Sequence, residues 1–184
     1  MALVVGLLWV IQVINAGDDY HLNRFGLQPR EVDGLWGIVT TPLLHKSYAQ
    51  MFSNSLPLLA IGWLILISGL RVWLTVTAIV VVVGGLLTWL VGPHSVIVGA
   101  TGLVFGWLGY LVARAAFSRK LKWILPAVLV LAFFGSLLYS VFPTLHSRGS
   151  WPANLCSLLA GIAAGALLHP RGGGTRQFRR PVVS

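Results

Sequence analysis

Residues 99–109 read Gly99-Ala100-Thr101-Gly102-Leu103-Val104-Phe105-Gly106-Trp107-Leu108-Gly109. Only the threonine hydroxyl and the indole N–H are polar, and Gly102, Gly106 and Gly109 recur at helical spacing, which puts them on one face of an α-helix. In water such a segment is a poor helix former, because each glycine costs about 1 kcal/mol relative to alanine. In a bilayer the backbone has no water to bond, so the helix is enforced. A stripe of small residues there becomes the surface against which another helix packs. The stretch therefore predicts a spanning helix over about 97–117, with Gly99, Gly102 and Gly106 as packing positions.

A second stripe lies nearer the C-terminus. Ala153, Ser157, Gly161 and Gly165 occupy every fourth position of the apolar run 151–168. Two small-residue faces on two membrane helices are expected to meet. That contact would bring Thr101 and Asn154, each at the head of its helix, together.

The whole chain agrees with a membrane setting. Of its 184 residues, 57% are hydrophobic and 9% charged, and the mean hydropathy is +0.84. Soluble domains carry about a quarter charged residues, so a soluble enzyme is excluded, and a disordered chain would be far less hydrophobic. Six runs are long enough to approach the roughly 20 apolar residues a bilayer demands: 2–17, 50–69, 71–91, 97–117, 121–141 and 151–168. They are continuous rather than alternating, which excludes an outer-membrane barrel. The expected fold is all-α, a six-helix polytopic bundle forming one membrane domain over 1–168, with a basic tail at 169–184. The first run reads as a retained helix rather than a cleaved signal: no Lys or Arg precedes it, and Ile14-Asn15-Ala16 is a poor cleavage site.

Charge supplies the orientation. With the N-terminus inside, the inner segments hold Arg71, Arg114, Arg119, Lys120, Lys122, Arg171, Arg176, Arg179 and Arg180, against Arg24, Arg30, Lys46 and Arg148 outside. Basic loops resist translocation, so both termini are expected in the cytoplasm and the protein in the plasma membrane. The tail reads as an anchor for anionic lipid rather than a nucleic-acid contact; the lipid bilayer is the first partner, and no nucleic acid is expected.

All four acids, Asp18, Asp19, Glu31 and Asp33, lie in the first loop, about Gly17 to Lys46. Its Phe25, Leu27, Leu35, Trp36 and Ile38 suit a folded element at the membrane interface, with Gly26, Gly34 and Gly37 permitting turns. No span contains an acid, which disfavours a proton-coupled pump, a carboxylate-ring channel and a carboxylate-based transporter. The polar residues near the outer half are Gln50, Ser53 and Asn54 on the second span, Thr101 on the fourth and Asn154 on the sixth. Cys156 is the one cysteine, so no internal disulfide can form.

These residues carry a resemblance. Thr41-Pro42-Leu43-Leu44-His45 precedes the second span, Gln50-Met51-Phe52-Ser53-Asn54 opens it, Gly99-Ala100-Thr101-Gly102 opens the fourth, and Ser150-Trp151-Pro152-Ala153-Asn154-Leu155 opens the sixth. From about Phe25 to Leu168 the chain resembles the rhomboid family of intramembrane proteases in its compact six-helix bacterial form. The three motifs sit where that family has His-x-x-x-Asn, Gly-x-Ser-Gly and Ser-Trp-x-x-His-Leu. The resemblance implies a nucleophile at 101, its general base at 154, and oxyanion donors at 50 and 54. Three of these positions depart from the pattern: Thr101 replaces the serine, Asn154 the last-helix histidine, and Gln50 the second-span histidine. Only Asn54 keeps the family's residue.

Threonine retains a hydroxyl that can act as a nucleophile, though its methyl stiffens χ1. A carboxamide does not titrate near neutral pH and cannot be a general base. Gln50 can still donate an N–H beside Asn54. His21, His45, His94 and His146 are expected in outer loops as exposed residues, His94 being nearest Thr101 in sequence. They lack the spacing of a zinc site, so neither metal nor cofactor is expected.

The resulting expectation is a catalytically degenerate rhomboid, a pseudoprotease that binds transmembrane helices of client or partner membrane proteins, as inactive relatives of the family do. Clients would enter laterally beside the second and fifth helices, the latter interrupted by Pro126 and Gly135. Gln50, Asn54, Thr101 and Asn154 would form a wet polar cavity holding an unwound client segment. Two alternatives stand beside this. One is an active endopeptidase using Thr101. The other is a structural subunit of a membrane complex, which the short N-terminus and short basic tail fit equally.

Overall fold

The computed structural model describes residues 1–142 and 151–169. His146, Arg148, Ser150 and the basic tail with Arg171, Arg176, Arg179 and Arg180 lie outside the described residues. The described chain is an all-helical bundle: α1 (Ala2–Gly17), α2 (Tyr48–Leu66), α3 (Leu70–Val91), α4 (Thr101–Ser118), α5 (Leu121–Phe134, continued as a 3₁₀ turn over Gly135–Val141) and α6 (Trp151–Leu168). By length and composition α2, α3, α5 with its extension, and α6 can each cross a bilayer, and α1 is a shorter apolar helix.

Local chemistry sets the ends. Ser47 caps α2 by accepting from the Gln50 amide at 3.1 Å. Gly69, at φ +112°, turns the chain directly into α3, so α2 stops at Leu66 rather than continuing to 69. The left-handed Arg119 closes α4.

The fourth helix begins at Thr101, not at 97. Ile97 pairs with Leu27 in an isolated antiparallel bridge, with N–O distances of 3.0 and 2.9 Å. Gly99 then takes φ +127°, a conformation that disfavours any side chain. Gly99 is therefore a turn residue ahead of the helix and not one of its packing positions.

Helix α4 is the centre of the bundle. Its residues from Val104 to Leu111 are buried without a break, because α6, α3, α2 and α5 surround it. The α4–α6 contact brings backbone against backbone. A Cβ on Gly161 would lie 1.8 Å from the Gly106 carbonyl oxygen, one on Gly109 2.4 Å from the Leu158 carbonyl oxygen, and one on Gly165 2.5 Å from Ala113 Cβ. Gly102 faces the Ser157 hydroxyl, whose oxygen would stand only 3.0 Å from a Cβ there. On its other side Gly106 receives Val80, whose Cγ1 stands 2.1 Å from where a Cβ would be. Val80 opens a π-helical segment, Val80–Gly84, inside α3.

The connecting segment between α1 and α2 folds over one end of the bundle. Buried Asn15 receives the Leu22 amide at 3.1 Å and donates to Asn23 Oδ1 at 3.0 Å. Thr40 Oγ1 donates to the Phe25 carbonyl. Gly37 passes so close to Leu27 that a Cβ would stand 2.2 Å from its nitrogen. Trp36, 80% exposed, projects outward. The outer faces of α1, α3 and α5 expose Leu3, Leu74 and Phe133, the apolar exterior of a chain solvated by lipid.

Candidate functional site

Thr101 is the first residue of α4, and its hydroxyl donates to Asn54 Oδ1 on α2 at 3.2 Å. Asn54 is nearly fully buried, and its Nδ2 has no hydrogen-bond partner among the described residues. Gln50, one turn earlier on α2, is engaged at both ends: Nε2 donates to the Val98 carbonyl at 3.2 Å, and Oε1 accepts from the Lys46 amide at 2.7 Å. That amide fills the space a side chain at Gly99 would need, since a Cβ there would meet Nε2 at 2.4 Å.

Asn154, on the first turn of α6, is almost completely buried. Its Nδ2 donates to Ser140 on the 3₁₀ extension of α5. Thr101, Gln50, Asn154 and Ser157 line one cavity of about 60 Å³ between α3, α4, α6 and the connecting segment. Asn54 stands behind Thr101 and reaches the cavity through that hydroxyl. At about 10–15 Å³ per water position, the cavity has room for a few water molecules and none for a peptide segment unless its walls part. The π-helical segment of α3 contributes Val80 and Val81 to the wall; such segments recur at functional sites because they displace one side chain out of helical register.

His45 corrects the expectation of exposed loop histidines. Its side chain is completely buried, and Nε2 accepts from the Ala100 amide at 3.4 Å. The neutral ring then carries its proton on Nδ1. Nδ1 reaches no partner at normal hydrogen-bond geometry, although the Leu43 backbone opposes the pKa shift slightly. Burial lowers the pKa to about 4, so the imidazole is neutral at physiological pH and a poor proton acceptor there. His45 thus buttresses the residue before Thr101. His21 and His94 are exposed.

Chemically, the site offers hydroxyls, those of Thr101 and Ser157 among them, three carboxamides and a neutral, buried imidazole. It can hydrogen-bond to backbone groups. For Thr101, the hydrogen-bond partner is an amide oxygen, which does not take a proton near pH 7. Sequence reasoning missed His45 as a buried support and Ser140 as the partner of Asn154. The signal for Ser140 was a hydroxyl in the last turn of an otherwise apolar span; His45 gave none.

A helical membrane bundle with the motif positions 50–54, 99–102 and 151–155 gathered at one end defines an intramembrane rhomboid-type fold. The rhomboid domain model matches residues 32–171, and the chain belongs to the rhomboid family. It is 37% identical over 173 residues to uncharacterized proteins of Mycobacterium bovis and Mycobacterium tuberculosis, covering 89% of this chain and 72% of each relative. An uncharacterized protein of Mycobacterium leprae is 34% identical over 172 residues, covering 89% and 68%.

Proposed function

We propose that this multi-pass rhomboid protein is proteolytically inactive and binds transmembrane helices of client or partner membrane proteins. The observation that carries this reading is the wiring of the two dyad positions: the Thr101 hydroxyl donates to Asn54, and the Asn154 amide donates to Ser140. Neither contact activates a nucleophile, and loss of a nucleophile–base pair leaves only the residual acceleration from binding and oxyanion contacts, about 10³–10⁴-fold over water. Client binding requires the cavity walls to separate, after which Gln50, Asn54 and Asn154 can bond backbone groups freed from helical pairing. In this reading both termini face the cytoplasm and the protein resides in the plasma membrane.

A second reading is favoured by one contact. The unpartnered Nδ2 of Asn54 lies on the amide that receives the Thr101 hydroxyl, where it can serve an oxyanion; this supports a slow endopeptidase using Thr101. One experiment separates the two. The protein and its Thr101→Ala variant are incubated in liposomes with a generic rhomboid substrate. Background cleavage by both supports the inactive protein, and cleavage lost in Thr101→Ala establishes the enzyme.

A further inference from the structure

The end of the bundle opposite the Thr101 cavity carries the α2–α3 and α4–α5 turns and the last residue of α6. There Arg114, one turn before the end of α4, is 7% exposed, and its Nη1 donates to the Ser68 hydroxyl and, at 3.3 Å, to the Tyr110 hydroxyl. The guanidinium lies over the ring of Trp123, 3.3 Å from the centroid, on the first turn of α5. The protein's four acids all lie between residues 18 and 33, and among the described residues no carboxylate pairs with Arg114. Tyr110 also bonds His169 Nε2 at 3.1 Å. Burial first, and then the Arg114 charge, lower the His169 pKa, so that ring adds no second cation.

Among the described residues at this end, Trp73 Nε1 has no hydrogen-bond partner, and neither do Arg114 Nε and Ser118 Oγ, each of them a buried atom. Arg114 and Ser118 are four residues apart on α4 and so share one face. The adjoining α5 begins without a side-chain cap and without an acid in its first turn, leaving amide donors and the positive end of its dipole unanswered. Arg119, Lys120 and Lys122 surround that turn. A buried cation without a counter-charge is costly in a membrane protein. A guanidinium, a hydroxyl and free amides form the donor set that phosphate oxygens accept.

We propose that Arg114, Ser118 and the amino-terminal turn of α5 form a phosphate-binding site, filled by the headgroup of an anionic phospholipid from the adjoining leaflet. The carbonyl ends of α2, α4 and α6 at this end offset part of the Arg114 charge and disfavour an anion. They leave Arg114 Nε unpaired, however, and Arg119, Lys120 and Lys122 stand exposed at the α4–α5 turn on the opposing side of the balance.

The test uses the full chain in nanodiscs of phosphatidylcholine alone, of phosphatidylcholine with phosphatidylglycerol, and of phosphatidylcholine with added inorganic phosphate. The readouts are lipid or anion retained in native mass spectrometry and the unfolding temperature. The wild type is expected to keep a phosphatidylglycerol molecule and to unfold at a higher temperature with it, and Arg114→Gln to lose both effects. Should Arg114→Gln not fold, Arg114→Lys keeps the charge but neither the planar fork nor the ring stack, and its retention should fall about tenfold. Retention of inorganic phosphate without lipid retention keeps the anion site but overturns the lipid as its source. Retention of neither, or equal phosphatidylglycerol retention by wild type and the Arg114 variants, overturns the site.

Discussion

Asn154 Nδ2 stands 3.2 Å from the Ser140 carbonyl oxygen and 3.2 Å from the Ser140 hydroxyl. The head of α6 is thereby fastened to the 3₁₀ end of α5, a segment whose hydroxyl also donates to the Leu137 carbonyl at 2.7 Å. Asn154→Ala removes a buried donor and should cost about 1–2 kcal/mol. Hydrogen exchange over Gly135–Val141 should accelerate about tenfold, while exchange in α1 stays at the wild-type rate. Unchanged exchange in the 3₁₀ segment would show that packing alone holds it.

Restoring the family's residues tests the scaffold. Thr101→Ser with Asn154→His should cleave a model transmembrane substrate, with each single change near background, because nucleophile and base act as a unit. Fluorogenic cleavage in liposomes reads this directly. An inactive double variant would mean that the Asn154–Ser140 contact is one of several changes separating this cavity from a protease's.

The closest helix contact predicts a sharp contrast between two glycines. Gly161→Ala would force its Cβ to 1.8 Å from the Gly106 carbonyl oxygen, so α4 and α6 must separate, at a cost of about 3 kcal/mol or more. Gly6→Ala meets nothing within 4 Å and should be neutral to about 1 kcal/mol stabilising. Thermal unfolding in detergent compares the two.

His45 gives the fold a pH dependence. Its pKa falls from 6.5 to about 4 on burial, so between these values the unfolded chain binds a proton that the folded protein refuses. The stabilisation is complete above about pH 6.5 and disappears as pH falls through 4, a change of about 3 kcal/mol from this group. His45→Gln should flatten the stability profile between pH 4 and 6.5. A wild-type profile already flat there would place the proton elsewhere.

The helices were legible because a lipid-solvated helix leaves a continuous apolar run, and the runs at 2–17, 121–141 and 151–168 coincide with the helices α1, α5 with its extension, and α6. The start of α4 was not. Ile97 and Val98 are as apolar as the helix that follows, and they are kept out of it by tertiary contacts, the pairing of Ile97 with Leu27, seventy residues earlier, and the bonds of Thr41 and Gln50 to residues 97–99. The π-helical segment was equally hidden, since Val80-Val81-Val82-Val83 has no periodicity to disturb. At the site, residue types could be read from the motifs, but hydrogen-bond partners could not. Asn154 could have faced Thr101 or Ser140, and that choice depends on where the 3₁₀ extension of α5 places a backbone carbonyl. His45 looked like any loop histidine because its burial comes from the connecting segment folding back over it.

Thr41 has a mechanical consequence. Its carbonyl holds the Gly99 amide at 2.9 Å, and its hydroxyl accepts from the Leu27 amide at 2.9 Å while donating to the Ile97 carbonyl at 3.0 Å. One residue thus rivets the connecting segment to the strand of chain that ends at Thr101. A displacement of Trp36 or its neighbours would have to strain the Thr41 bonds to Ile97 and Gly99, two residues before Thr101. A load on the exposed side of the connecting segment would therefore fall first on the Gly99 turn, immediately ahead of the hydrogen bond between Thr101 and Asn54.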